Sequence, residues 1–292
     1  MPTAIATLAD HRRETPADAG SAPPASAILR VVGPAAIGSS VVERLRGDTR
    51  RRPVVDPGLA GGLRAWLEDG VATLVAPMPE RGAPVVVDRR RLEPWRPGEP
   101  STLTATVVRS AVVASLFGQV VVTGRLDDPV EDGLAALEAT GRSDLVAFAR
   151  GLPAAEQRSL ERTVVAQAAT MVSQWAMVSP GWLPRVADRL TVPLAGGRVV
   201  LRGRADLVLG APSDGRASVC LVDVRSGDPQ AAHGRYRRFV ALLETVRSGA
   251  PPFRTATYYP AAGDVQVDEV TDELLAATVG EVLDAVAQPQ PA

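Results

Sequence analysis

Two aspartates stand inside apolar, strand-like runs, where a carboxylate is costly. Asp206 interrupts Arg204-Ala205-Asp206-Leu207-Val208-Leu209, and Asp223 interrupts Cys220-Leu221-Val222-Asp223-Val224-Arg225. With the alternation of a strand, Val219, Leu221, Asp223 and Arg225 share one face, and Cys220, Val222 and Val224 share the other. Both faces are apolar, so the strand is expected to be covered on both sides. An ionised aspartate there needs a partner or a metal. If the two runs pair as a hairpin, their carboxylates come side by side. Like charges that close repel, and a divalent cation is one way to hold them. The other way is an ion network, in which Arg204, Arg225 or Arg235 neutralises the same acids.

The elements around the pair are legible from periodicity. Ala154 to Val178 reads as an amphipathic helix, with Leu160, Val164, Ala168, Met171 and Trp175 on one face. Three strand-like runs follow: Leu190 to Leu194, Val199 to Leu209 and Ser218 to Val224. Their tight, glycine-containing connections argue for an antiparallel meander. Pro229 to Arg247 is a second amphipathic helix, and Gly249 stops it. Thr255 to Tyr259 is a fourth strand, which a helical crossover would make parallel to its neighbour. Val265 to Val267 is a short edge strand, and Asp272 to Ala287 a final helix.

Helix, three-strand meander, helix and strand, with these acids on the strands, resembles the core of the PD-(D/E)XK superfamily, the restriction-endonuclease-like and RecB-like nucleases. The residues carrying the resemblance are Gly203-Arg204-Ala205-Asp206-Leu207-Val208, then Leu221-Val222-Asp223-Val224-Arg225-Ser226-Gly227, and Phe239-Val240-Ala241-Leu242-Leu243 on the following helix. It covers roughly half of the chain. The resemblance implies an α/β fold with a nuclease-like core and Mg²⁺ held by Asp206 and Asp223 with help from the Val224 carbonyl. Arg225 would face the scissile phosphate at the family's lysine position. A metal so held activates water and neutralises a phosphoryl oxygen. The chain departs from the family at three positions. Arg225 replaces the lysine and cannot act as a base. Arg235 stands at the glutamine position and Phe239 at the tyrosine position. For the histidine that some members carry on the first helix, the nearest polar residues are Gln167 and Glu161. Two functions are therefore expected: a Mg²⁺-dependent DNA nuclease with Asp206, Asp223 and Arg225 catalytic, or an inactive nuclease-fold module that binds nucleic acid or a protein partner.

Charge is local. The net charge is -1, so composition by itself gives no reason for a nucleic-acid partner. Between Arg198 and Arg254, however, ten arginines stand against five acids, and after Pro260 there are seven acids and no base. Arg204, Arg235 and Arg238 are the expected phosphate contacts. Pairing of the basic stretch with the acidic end is the alternative. The chain has no lysine or asparagine, a composition that resembles that of GC-rich actinobacteria.

The first half carries no constellation of this kind. Residues 1–26 read as a disordered tail, 27–151 as a mixed helical lobe and 152–292 as the nuclease-like core. In the lobe, Asp56 is expected to cap a helix beginning at Pro57, with Gly70 stopping it. Val71 to Val75 and Val85 to Val87 read as strands, and Arg89 to Arg91 as a solvated basic face. Leu103 to Val122, Val130 to Thr140 and Asp144 to Arg150 read as helices. Cys220 is expected to be a buried thiol, His233 a solvent-facing or capping residue and His11 an inert tail residue. Trp175, Trp182, Tyr236 and Tyr258 fit packing better than base stacking. No apolar segment of membrane-spanning length, secretion signal or disulfide pair is seen. A cytoplasmic protein with DNA, a protein partner or a second copy of the chain as partner is the expectation.

Overall fold

The computed structural model describes residues 39–46, 52–79, 82–93, 103–175, 178, 180–211 and 215–288. The expected tail, the Pro94 to Pro100 loop and residues 212–214 of the Gly210 to Gly215 loop lie outside them. The elements run α1 (Ser39–Arg46), α2 (Leu59–Val75), β1 (Val85–Val87), α3 (Arg89–Leu92), α4 (Ala105–Thr123), α5 (Pro129–Ala139), α6 (Ser143–Arg150) and α7 (Ala154–Trp175), then β2 (Arg185–Leu194), β3 (Val199–Leu209), β4 (Cys220–Val224), α8 (Ala231–Ser248), β5 (Arg254–Tyr259), β6 (Asp264–Glu269) and α9 (Asp272–Ala287). This is an α/β fold with one mixed six-stranded sheet.

The meander is present: β2 and β3 pair antiparallel, as do β3 and β4. The α8 crossover returns the chain to β5 in parallel with β4, and β6 closes an antiparallel hairpin. Cys220, Val222 and Val224 face a layer made by α1, α4, α5, α6 and α7. Val219 and Leu221 face a layer made by α2, α8 and α9. The strand is covered on both sides, as its two apolar faces require. Both cores draw residues from before and after Leu152, so the first half is built into the same layers as the second.

One strand organises the candidate site. β2 covers one edge of β3 from Val199 to Val208. The opposite edge is shared, with β1 parallel against Val199 to Leu201 and β4 antiparallel against Leu207 to Leu209. The two neighbours part between these stretches and leave a fork beside residues 202–206. Side-chain direction also switches here. Val199, Leu201 and Ala205 pack into the α2/α8/α9 layer, whereas Leu207 and Leu209 pack into the other. On β2, Ala187 lies between the partners of Leu207 and Ala205 and has a left-handed φ of 55°. The ribbon is distorted beside Asp206 on both strands.

Three local expectations are corrected. Val71 to Val75 is not a strand but the end of α2, because Leu63, Leu67, Val71 and Val75 repeat every four residues along one buried stripe. Gly70 does not stop that helix. A Cβ there would lie 2.7 Å from Leu283, so the glycine lets α9 approach. Asp56 does not cap at a helix starting with Pro57. Gly58 holds the cap position, and Asp56 closes the preceding turn by accepting from the Gly58 N–H at 2.8 Å.

Finally, α4 is long and apolar enough to cross a membrane by length and composition, which corrects the expectation that no stretch approaches that length. Its Val108, Val112, Leu116, Phe117 and Val120 are buried in the protein's own core.

Candidate functional site in the fork of the sheet

The ladder between β3 and β4 ends at Leu207 and Val222, so Asp206 and Asp223 lie just past its last pair. Asp206 Oδ2 accepts the Val224 N–H at 2.9 Å, taking the place of a strand carbonyl. Its Oδ1 is 3.2 Å from Arg204 Nη2. Asp223 Oδ2 accepts from Arg225 Nε at 2.5 Å, and Asp223 Oδ1 accepts from Arg89 Nη2. Arg225 also donates from Nη2 to Glu93 Oε1 at 2.6 Å. Thus three of the four oxygens of the acid pair accept hydrogen bonds, and the fourth, Asp206 Oδ1, is ion-paired with Arg204.

Arg89 and Glu93 reach the site because of β1. It runs parallel to β3, and the chain leaving it enters the fork directly. Asp88 caps the short α3 by accepting the Arg90 N–H at 2.9 Å. The expectation of a solvated Arg89 to Arg91 face is corrected. Only Arg90 is exposed, while Arg89 turns to Asp223 and Arg91 donates to the Ala285 carbonyl at 2.7 Å. The first half, which shows no such constellation in its own sequence, thus brings Arg89 and Glu93 to the acid pair.

Tyr236, from α8, fills the fork. Its hydroxyl donates to the Arg204 carbonyl at 3.1 Å and accepts the Arg204 N–H at 2.9 Å. It thereby serves both backbone groups on the bare edge of β3. The Arg89 guanidinium lies over the Tyr236 ring, 4.0 Å from its centre.

The two aspartates titrate apart. Burial, and then the neighbouring Asp223 charge, push Asp206 above the usual carboxylate range. Burial opposes ionisation of Asp223 too, but Arg89 and Arg225 outweigh it and hold Asp223 below that range. The fork therefore keeps one anion between two guanidiniums and one acid whose ionisation is disfavoured.

As arranged, these residues do not fit Mg²⁺. The ion needs near-octahedral oxygen ligands and several waters, and both Asp223 oxygens already hold cations. The Val224 N–H already occupies one Asp206 oxygen. Among the described residues, no group of three or more His, Cys, Asp or Glu is placed to hold a metal ion.

The remaining expected residues separate. Arg204 stays at the fork, half exposed. Arg235 and Arg238 turn to Glu281 on α9, at 3.6 and 2.7 Å. Arg237 pairs with Asp268 at 2.6 Å, so the basic stretch and the acidic end pair within the chain at these points. Phe239 is a core residue. Gln167 is buried and donates to the Ser226 carbonyl at 3.2 Å, whereas Glu161 is exposed. Trp175 and Tyr258 pack together in the core. Cys220 is buried, and burial pushes its thiol up to about 12.

His233 is neither solvent-facing nor a cap, which corrects that expectation. It is buried in the first turn of α8, with Nδ1 3.0 Å from the Tyr259 hydroxyl. Burial and then the Arg225 charge push it down to about 4. The folded chain therefore refuses a proton that an unfolded chain, titrating near 6.5, accepts. Stability should be lost as pH falls from about 6.5 toward 4. Comparing thermal midpoints of wild type and His233→Gln across that window checks it: the wild type should lose more. A difference independent of pH would show that His233 does not drive the change.

No family model matches the chain, and no curated protein matches it. Among solved structures, the chain is similar to the crystal structure of SSO0001, with 11% identity and a TM-score of 0.29 over 78% of this chain and 86% of that one. A likeness of that size carries no argument about function.

Proposed function

We propose that this chain is a PD-(D/E)XK-like protein that has exchanged its metal for internal arginines and acts by binding nucleic acid without cleaving it. The order α7, β2–β3–β4, α8, β5 supports the nuclease-like core, as does the position of Asp206 and Asp223 at the parting of β3 and β4. One observation carries the non-hydrolytic reading: Arg89 and Arg225 hold both oxygens of Asp223, while Asp206 accepts the Val224 N–H through one oxygen and is ion-paired with Arg204 through the other. To admit a divalent cation, the fork would have to expel at least one guanidinium from a carboxylate whose side chain is 6% exposed. Arginine does not lose its proton at accessible pH, so titration offers no route to that exchange.

Calorimetric titration with Mg²⁺ and Mn²⁺, together with cleavage assays on labelled single- and double-stranded DNA, tests the reading. Wild type and Arg225→Lys should both show no metal binding and no cleavage. Mg²⁺-dependent cleavage that disappears in Asp223→Ala would overturn it in favour of an active nuclease.

A further inference from the structure

The outer half of the β2–β3 hairpin has one covered face and one open face. Leu190, Val192 and Leu194 on β2, with Leu201 on β3, are buried against the α2/α8/α9 layer. The other face presents Arg189, Thr191 and Pro193 from β2 with Arg202 and Arg204 from β3, all exposed. Arg189 and Arg204 are direct cross-strand partners, and Arg202 is opposite Thr191. Among the described residues, neither Arg189 nor Arg202 has an acidic partner. Arg204 shares Asp206 and keeps a side chain 44% exposed.

Like charges directly opposite each other destabilise an antiparallel pair. Here the sequence places two arginines opposite and a third two residues along the same strand. An anion against this face would relieve the repulsion. The geometry points to the nucleic-acid phosphate backbone as the ligand of this hairpin face, a conclusion that rests on the binding reading above and adds where the polyanion lies. Guanidinium forks match phosphate oxygens in planar, two-point contacts. Arg202 and Arg204 are about 7 Å apart along the strand, of the order of one step between phosphates. Among the described residues, the face carries no aromatic side chain on which a base could stack. Recognition is accordingly of the backbone and independent of sequence.

The test is fluorescence anisotropy of a labelled mixed-sequence DNA duplex, titrated with the full chain and with Arg189→Glu/Arg202→Glu. The dissociation constant should rise roughly tenfold or more, and the slope of log K against log salt should become shallower by about 2. The thermal midpoint should hold or rise, because Arg189→Glu turns the repulsive pair with Arg204 into an attractive one. Lost binding with retained stability separates this outcome from misfolding. Unchanged affinity and salt slope, or no DNA binding by wild type at low salt, would overturn the assignment. So would competition by poly-glutamate as effective as that by unlabelled DNA, which would place an acidic protein on the face instead. Cleavage of the duplex by wild type would defeat the non-hydrolytic reading alone, whereas an unaffected double variant would defeat only the hairpin assignment.

Discussion

Asp223→Ala should destabilise the folded chain by about 3–5 kcal/mol, the usual cost of removing one partner from a buried ion pair. The Asp223 side chain is 6% exposed and that of Arg225 15%, so neither is well screened by water. The substitution leaves Arg225 with Glu93 and the Tyr236 ring, and Arg89 with the same ring and Asp206 near it. Arg89 is 39% exposed and can turn outward, so Arg89→Ala should cost clearly less. Urea unfolding of both variants measures the order. A loss below about 1 kcal/mol for Asp223→Ala would put the pair in the range of solvated surface bridges and would contradict a structural role for this network.

Trp175→Ala should cost a similar amount, about 3–5 kcal/mol, for a different reason. Trp175 is 1% exposed and meets Phe117 edge-on at 4.8 Å and Tyr258 at 5.2 Å. The three rings join α4, α7 and β5 at the centre of one layer. Truncation loses both apolar burial and the ring pairing, and the cavity falls where α7 is pressed on the sheet. Trp175→Phe should recover part of the loss. Equal losses for the two variants would show that neither the ring contacts nor the volume a phenylalanine restores stabilises the fold at this position. Chemical denaturation followed by far-UV circular dichroism gives both values.

Local pattern made much of the second half readable. Val199 to Leu209 alternates poorly, yet its turn-bounded apolar run marks a strand, and Asp272 to Ala287 has a clear helical stripe. The acids at Asp206 and Asp223 were visible because they interrupt such runs. Other features depend on contacts between distant elements. Val71 to Val75 is β-branched and short, and reads as a strand until it is joined to Leu63 and Leu67. Arg89 and Glu93 sit beside a basic run that looks solvated. Only the parallel docking of β1 on β3 delivers them to Asp223 and Arg225, and no spacing within residues 85–93 encodes that pairing. Tyr236 was legible as a packing residue, but its hydroxyl role depends on a gap between two strands. The burial of His233 is not legible in the α8 sequence because its cover comes from Tyr259 on β5, across the α8 crossover.

The bare stretch of β3 in the fork has a consequence for self-association. An unpaired strand edge offers another chain a template for growth. Here the exposed rungs at Arg204 are closed by one phenol, and Arg89 lies across its ring. The slot is too short for a foreign strand and already satisfied, so the centre of this sheet is shielded from strand invasion by a single side chain rather than by a further strand.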